Sequence, residues 1–125
     1  MSIPHKTHSP GFLKIVDEAK KNIREINASE YRSMKDHVLI DVREDHEWNV
    51  AHAAGARHLS KGIIERDIET AVPDKNATIV LYCGGGYRSA LAAEALGKMG
   101  YTNAISLDGG WRAWQEAGLP VERGS

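Results

Sequence analysis

The run Ala77 to Cys83, "ATIVLYC", is apolar and rich in β-branched residues, and it passes directly into Gly84, Gly85 and Gly86. A short run of this kind suits a strand buried on both faces of a parallel sheet. Beyond the glycines, Tyr87 to Met99 places Ala90, Leu91, Ala95 and Leu96 at helical spacing, and Gly100 stands ready to end the helix. A strand feeding a helix through so tight a turn is the unit from which layered α/β folds are built.

The rest of the chain repeats that alternation. "HVLIDVR" (His37 to Arg43) reads as a second buried strand, and "AISLDGG" as another strand with a turn. "AGARHLS" (Ala54 to Ser60) is a loop returning to the sheet, and "EDHEW" a turn or one helical stretch. Phe12, Ile15, Val16, Ala19 and Ile23 form one helical stripe that packs on the domain or serves as a dimer contact. Asn27 and Glu30 make a capping-box pattern that opens a short helix ending near Lys35. "KGIIERDIETAV" is helical through Ile63, Ile64, Ile68 and Ala71 and stops before Pro73. "WRAWQEAG" is a last short helix whose Trp111 and Trp114 read as core. Met1 to Pro10 reads as a loose tail. These segments predict a parallel sheet with helices on both faces, with ligands at the carboxyl ends of its strands. Cys83 stands at one such end.

Composition narrows the function. A chain of 125 residues fits one domain that needs no disulfide or metal staple. Sixteen basic against seventeen acidic residues leave a net charge of −1, which gives no reason to expect nucleic acid or an anionic membrane as partner. No apolar stretch approaches the ~20 residues of a membrane span, and the N-terminus lacks the pattern of a signal peptide, so the cytoplasm is the expected location. The one cysteine agrees with a reducing compartment. The scattered histidines, His52 and His58 among them, lack metal-ligand spacing, so no metal is expected.

A lone cysteine closing a buried strand is commonly just a small hydrophobe. Three successive glycines beside it point elsewhere, because each costs about 0.5–1 kcal/mol relative to Ala and needs a structural return. Glycines let successive N–H groups curl inward as an anion-binding nest, and the helix starting at Tyr87 adds its own unpaired N–H groups. Arg88 contributes a fixed positive charge. The loop reads as a cradle for a negatively charged sulfur or an oxyanion. It lacks the G-K-[ST] ending and the G-x-G-x-x-G pattern of nucleotide loops.

Three motifs, "LIDVREDHEW", "YCGGGYRSALAAEAL" and "GYTNAISLDGGWRAWQEAGLPV", closely resemble the single-domain rhodaneses, the thiosulfate:cyanide sulfurtransferases. The resemblance implies a three-layer α/β fold with a central parallel sheet of about five strands. It divides the chain into a tail and extra helix (1–22), the rhodanese domain (23–121) and a C-terminal tail (122–125). It implies that Cys83 takes the outer sulfur of thiosulfate or a persulfide, becomes a persulfide, and passes that sulfur to cyanide or a thiol. Cys83 and Arg88 are then catalytic. Gly84, Gly85, Gly86, Tyr87 and Ser89 hold the substrate, the loop's N–H groups from Gly84 to Arg88 facing the charge. Asp41 and Arg43 match the strand-end motif near the mouth of the site, where they contact substrate or organise the following loop as a salt bridge. Glu47 reads as structural, and Arg43 or Arg66 as a helper cation. With no second thiol the acceptor is external, a small molecule or a thiol protein such as thioredoxin, and the chain is a monomer or weak homodimer. "AHAAGA" (Ala51 to Ala56) departs from the family's usual loop by three alanines. The alternatives are a non-catalytic binding or regulatory module of the same fold, and a small phosphatase or arsenate reductase. Phosphatases of this fold place five residues between cysteine and arginine, and here four intervene.

Overall fold

The computed structural model describes residues 8–124. Five parallel strands form the central sheet in the order β1-β6-β5-β2-β4: β1 (Arg24–Ile26), β2 (Val38–Asp41), β4 (Arg57–His58), β5 (Ile79–Tyr82) and β6 (Ala104–Leu107). The helices are α1 (Pro10–Lys20), α2 (Ala28–Arg32), α3 (Asp45–Val50), α4 (Ile64–Ala71), α5 (Tyr87–Lys98) and α6 (Gly110–Glu116). The parallel sheet flanked by helices agrees with the fold expected from the alternation.

Period-two side-chain alternation in the strands divides the core between two faces. From β5, Ile79 and Leu81 pack with Ile64, Ile68, Ala92, Ala93 and Leu96 of α4 and α5, and Cys83 continues that row. Val80 and Tyr82 face the other way, against Ile105's neighbour Leu107 and Trp114 of α6. Helix α1 lies outside α5 and buries Val16 and Ala19 there.

Several boundaries differ from the sequence expectation. Of the tail expected over residues 1–10, Met1 to Thr7 lie outside the described residues, whereas Ser9 caps α1 and Pro10 opens it. Ser9 Oγ accepts from the Phe12 amide at 3.3 Å, and proline at the first helical position forfeits no hydrogen bond. The stripe is also narrower: Ile15 is 50% exposed. The capping box of Asn27 and Glu30 forms, with both reciprocal bonds at 2.8–3.0 Å, but its helix ends at Arg32.

Strands β1 and β4 are too short to show a period of their own, and they exist because β6 and β2 offer them an edge. A separate antiparallel ribbon pairs β3 (Ala51–Ala53) with β7 (Val121–Arg123), so Glu122 and Arg123 are strand residues and not tail. A buried polar network ties this ribbon to the sheet. The Tyr82 hydroxyl donates to Asp41 Oδ2 at 2.5 Å and accepts from the Ala53 amide at 3.0 Å. Burial, the Asp41 charge and that hydrogen bond together push the Tyr82 hydroxyl far above the ordinary tyrosine range, so it remains a donor. Replacing Tyr82 by Phe strands the Ala53 N–H in the core and takes one donor from Asp41 Oδ2, which keeps its two bonds from Arg43. The expected loss is about 1–3 kcal/mol in urea unfolding, with no change in the secondary structure read by circular dichroism.

Candidate active site

Cys83 ends the β5 strand row, and the Cys83–Ser89 turn folds its side chain under the start of α5. The residue is 1% exposed, yet it is among the residues lining an open cleft of about 920 Å³. Sγ accepts from the Gly86 amide at 3.1 Å and from the Ser89 amide at 3.4 Å, with Ser89 Oγ 3.5 Å away. Ser89 Oγ is steadied in turn by Ser106 Oγ of β6 at 2.8 Å. The sulfur thus sits in the main-chain cradle anticipated for it, although the donors reaching it are Gly86 and Ser89. None of the amides of Gly84, Gly85, Tyr87 and Arg88 is among its partners in the described residues.

A second helix holds the loop from behind. The Trp111 amide donates to the Cys83 carbonyl at 2.6 Å and the Arg112 amide to the Gly84 carbonyl at 3.3 Å. These are first-turn N–H groups of α6, which have no partner inside their own helix. Gly110 makes the approach possible: a Cβ there would lie 2.2 Å from the Cys83 carbonyl oxygen. Gly86 has φ +98°, the left-handed conformation that starts α5, and a Cβ on it would meet the Gly109 nitrogen at 3.2 Å. Around Gly85 there is open space.

Gly84, Gly85, Tyr87 and Arg88 line the cleft, as does Glu47 from α3. Arg88 Nη1 donates to Glu47 Oε1 at 2.9 Å, so the loop's cation has a carboxylate partner across the cleft. Burial by itself would raise the Glu47 carboxyl, but the Arg88 hydrogen bond and the Glu44 amide outweigh it and hold the group below its ordinary value. Burial likewise opposes the Arg88 charge and is outweighed by Glu47 and by the Cys83 sulfur, leaving the guanidinium more firmly protonated.

Of the two roles open to Asp41 and Arg43, substrate contact or a salt bridge that organises the following loop, the structure shows the salt bridge and does not place them in the cleft. Asp41 and Arg43 are buried, at 0% and 3% exposure, away from the cleft lining. They form a salt bridge at 2.8 Å, Arg43 also donates to the Ala51 carbonyl, and Trp111 lies 4.6 Å from its guanidinium carbon. The pair thereby ties the end of β2 to β3 and packs against α6. Arg66 is no helper either, being paired with Asp67 on the exposed side of α4. His52 stacks on Trp48 at 3.5 Å and His58 bonds the Arg43 carbonyl, so neither covers the cysteine. The sequence reading missed His8, Ser9, Gly109 and Arg112 as cleft residues, and Phe12 it placed in a packing stripe. Only Arg112 carried a signal, in the segment "DGGWRAW".

Residues 16–117 match the family described as Rhodanese-like domain. The chain belongs to the rhodanese-like domain family. It is 40% identical over 82 residues to the probable adenylyltransferase/sulfurtransferase MoeZ of Mycobacterium tuberculosis, a match covering 66% of this chain and spanning only 21% of that longer protein. The thiosulfate sulfurtransferase PspE of Escherichia coli is 40% identical over 70 residues, covering 56% of this rhodanese-like chain and 67% of PspE. Among solved structures, a Rhodopseudomonas palustris protein described as a possible tyrosine phosphatase superposes with a TM-score of 0.78 at 28% identity, covering 96% of this chain and 100% of its own. Rhodanese membership and the sulfurtransferase relatives agree with the resemblance carried by the three motifs. Within the described residues no helix is long and apolar enough to cross a membrane.

Two predictions follow the geometry of this rhodanese-like site. Alanine substitutions at Gly85, Gly86 and Gly110 should lower stability in that order. The first should stay within about 0.5 kcal/mol, the second should cost about 1–2 kcal/mol for its left-handed φ, and the third should cost more because it strikes backbone. Urea midpoints rank them. The depressed Glu47 pKa means that its pairing stabilises the fold fully above the ordinary carboxyl value of 4.5 and loses that effect as pH falls through the lower folded value. The stability difference between wild type and Glu47→Gln should therefore be constant near neutrality and shrink in acid below 4.5.

Proposed function

We propose that the chain is a sulfurtransferase that carries sulfane sulfur as a persulfide on Cys83. The single observation that carries this reading is the placement of Cys83 in the lining of an open cleft, with Sγ under two main-chain N–H donors. The naming of PspE as a thiosulfate sulfurtransferase supports it.

In the first half-reaction the Cys83 thiolate attacks the outer sulfur of thiosulfate. A sulfur–sulfur bond forms to Cys83, the bond to the sulfonate sulfur breaks, and sulfite departs with the electron pair. In the second, cyanide or an external thiolate attacks the outer sulfur of the persulfide, and the pair returns to Cys83. Each step is a nucleophilic displacement at sulfur. The amides of Gly86 and Ser89 are fixed before reaction and face the Cys83 sulfur, where charge returns whenever the persulfide is discharged. The remaining loop amides, from Gly84, Gly85, Tyr87 and Arg88, serve the outer sulfur and the donor's oxygens. Arg88 and Arg112 supply the positive potential that draws an anionic donor to a cleft that also holds Glu47.

Incubation with thiosulfate should raise the intact mass by one sulfur atom and release stoichiometric sulfite. Subsequent cyanide should return the mass to its starting value with formation of thiocyanate. Cys83→Ser should do none of these. A chain that gains no sulfur from thiosulfate or from a persulfide donor is not a sulfurtransferase, and turnover of an aryl phosphate would place it with the phosphatases instead.

A further inference from the structure

The cleft is far larger than inorganic thiosulfate requires. Its volume of about 920 Å³ lies at the upper end of the ≈ 300–1,000 Å³ of small-molecule sites. Its lining is of two kinds. Arg88, Glu47 and Arg112 are charged. His8, Phe12 and Tyr87 are aromatic, and two of these three come from outside the cysteine loop. The His8 ring lies 4.5 Å from Tyr87 edge-on and 5.2 Å from Phe12, and Phe12 is 6.2 Å from Tyr87.

This wall is held in place by the fold. Val16 and Ala19 anchor α1 on α5, and the Ser9 cap fixes the turn carrying Phe12. Phe12 and Tyr87 remain only partly buried and keep surface for a ligand. Aromatic faces do little for thiosulfate, which is a small, strongly hydrated anion, whereas a carbon skeleton gains from leaving water against them.

Resting on the sulfur-transfer reading above, we propose that His8, Phe12 and Tyr87 form a specificity wall that selects an organic persulfide, R–S–SH, over thiosulfate as sulfur donor. The R group lies on the three rings, with any carboxylate it carries toward the arginines. The Cys83 thiolate forms a bond to the outer sulfur, the bond between the donor's two sulfurs breaks, and R–S⁻ leaves with the electron pair. The donor's proton remains with the transferred sulfur or passes to solvent, and no oxidant or reductant is consumed.

The test is single-turnover loading of Cys83 on the full chain, followed by intact mass, with glutathione persulfide and thiosulfate as the two donors. For Phe12→Ala, the loading efficiency with glutathione persulfide relative to thiosulfate should fall about tenfold, equivalent to about 1.4 kcal/mol. The change should reside in the half-saturating donor concentration and not in the maximal rate. Phe12→Leu should recover most of it, and Ile15→Ala, on the exposed face of the same helix, should leave the ratio at its wild-type value. A ratio unmoved by Phe12→Ala, or both donors slowed equally, overturns the wall. If wild type loads from neither donor, the sulfur-transfer reading fails separately, and the wall is judged by binding of unreactive S-methylglutathione to Cys83→Ser. Binding weakened by Phe12→Ala then upholds the wall, and binding that is absent or unchanged overturns it.

Discussion

The bonds from the Trp111 and Arg112 amides to the Cys83 and Gly84 carbonyls decide which way the cysteine loop faces. A tight loop must place both its carbonyls and its amides somewhere, and buried backbone groups left unpaired are costly. Because α6 takes these two carbonyls at the back, the loop can turn amides of Gly86 and Ser89 toward the sulfur. The close approach depends on a residue without a Cβ at position 110. The thiol site is therefore built by two helix starts, one meeting the sulfur and one holding the loop.

The sheet edge beside that site is held by charge buried within the protein. Asp41 and Arg43 lie two residues apart at the end of β2, and their pairing uses the carboxylate bidentately while Tyr82 and the Ala51 carbonyl satisfy what remains. A buried ion pair adds little net stability because desolvation offsets most of its attraction, but a single partner left alone is strongly unfavourable. Such a network defines a geometry more than it strengthens a fold. Here it defines where β3 and the following α6 surface sit relative to β5, and so where the cysteine loop is clamped.

The cleft combines these results with an addition from the N-terminal side. Arg88 is half-buried and does not stand unopposed, because Glu47 shares it. That pairing orients the guanidinium beside Gly84 and moderates the positive potential, which distinguishes this site from a simple anion trap. Helix α1 and His8 then add aromatic rings to the cleft lining. Cys83, the glycine loop and these rings therefore share one cleft, although they come from distant parts of the chain.

Much of the architecture was legible in the residues themselves. Apolar runs at 38–40 and 79–82, the Asn27–Glu30 cap and the glycines after Cys83 all act over a few neighbouring positions, where local sterics and hydrogen bonding leave few choices. Strands of two or three residues were not, since β1, β3, β4 and β7 draw their hydrogen bonds from segments distant in the chain. The same distinction separates the parts of the site. By itself the sequence determined the cysteine, the glycine cradle after it and the cation five residues on, because these lie close together along the chain. Only the tertiary structure decided that Arg43 belongs to the core, and that Arg112, Glu47 and Phe12 line the same cleft as the cysteine. Those placements depend on which surfaces meet when helices pack, and contacts made across the fold leave no local pattern to read.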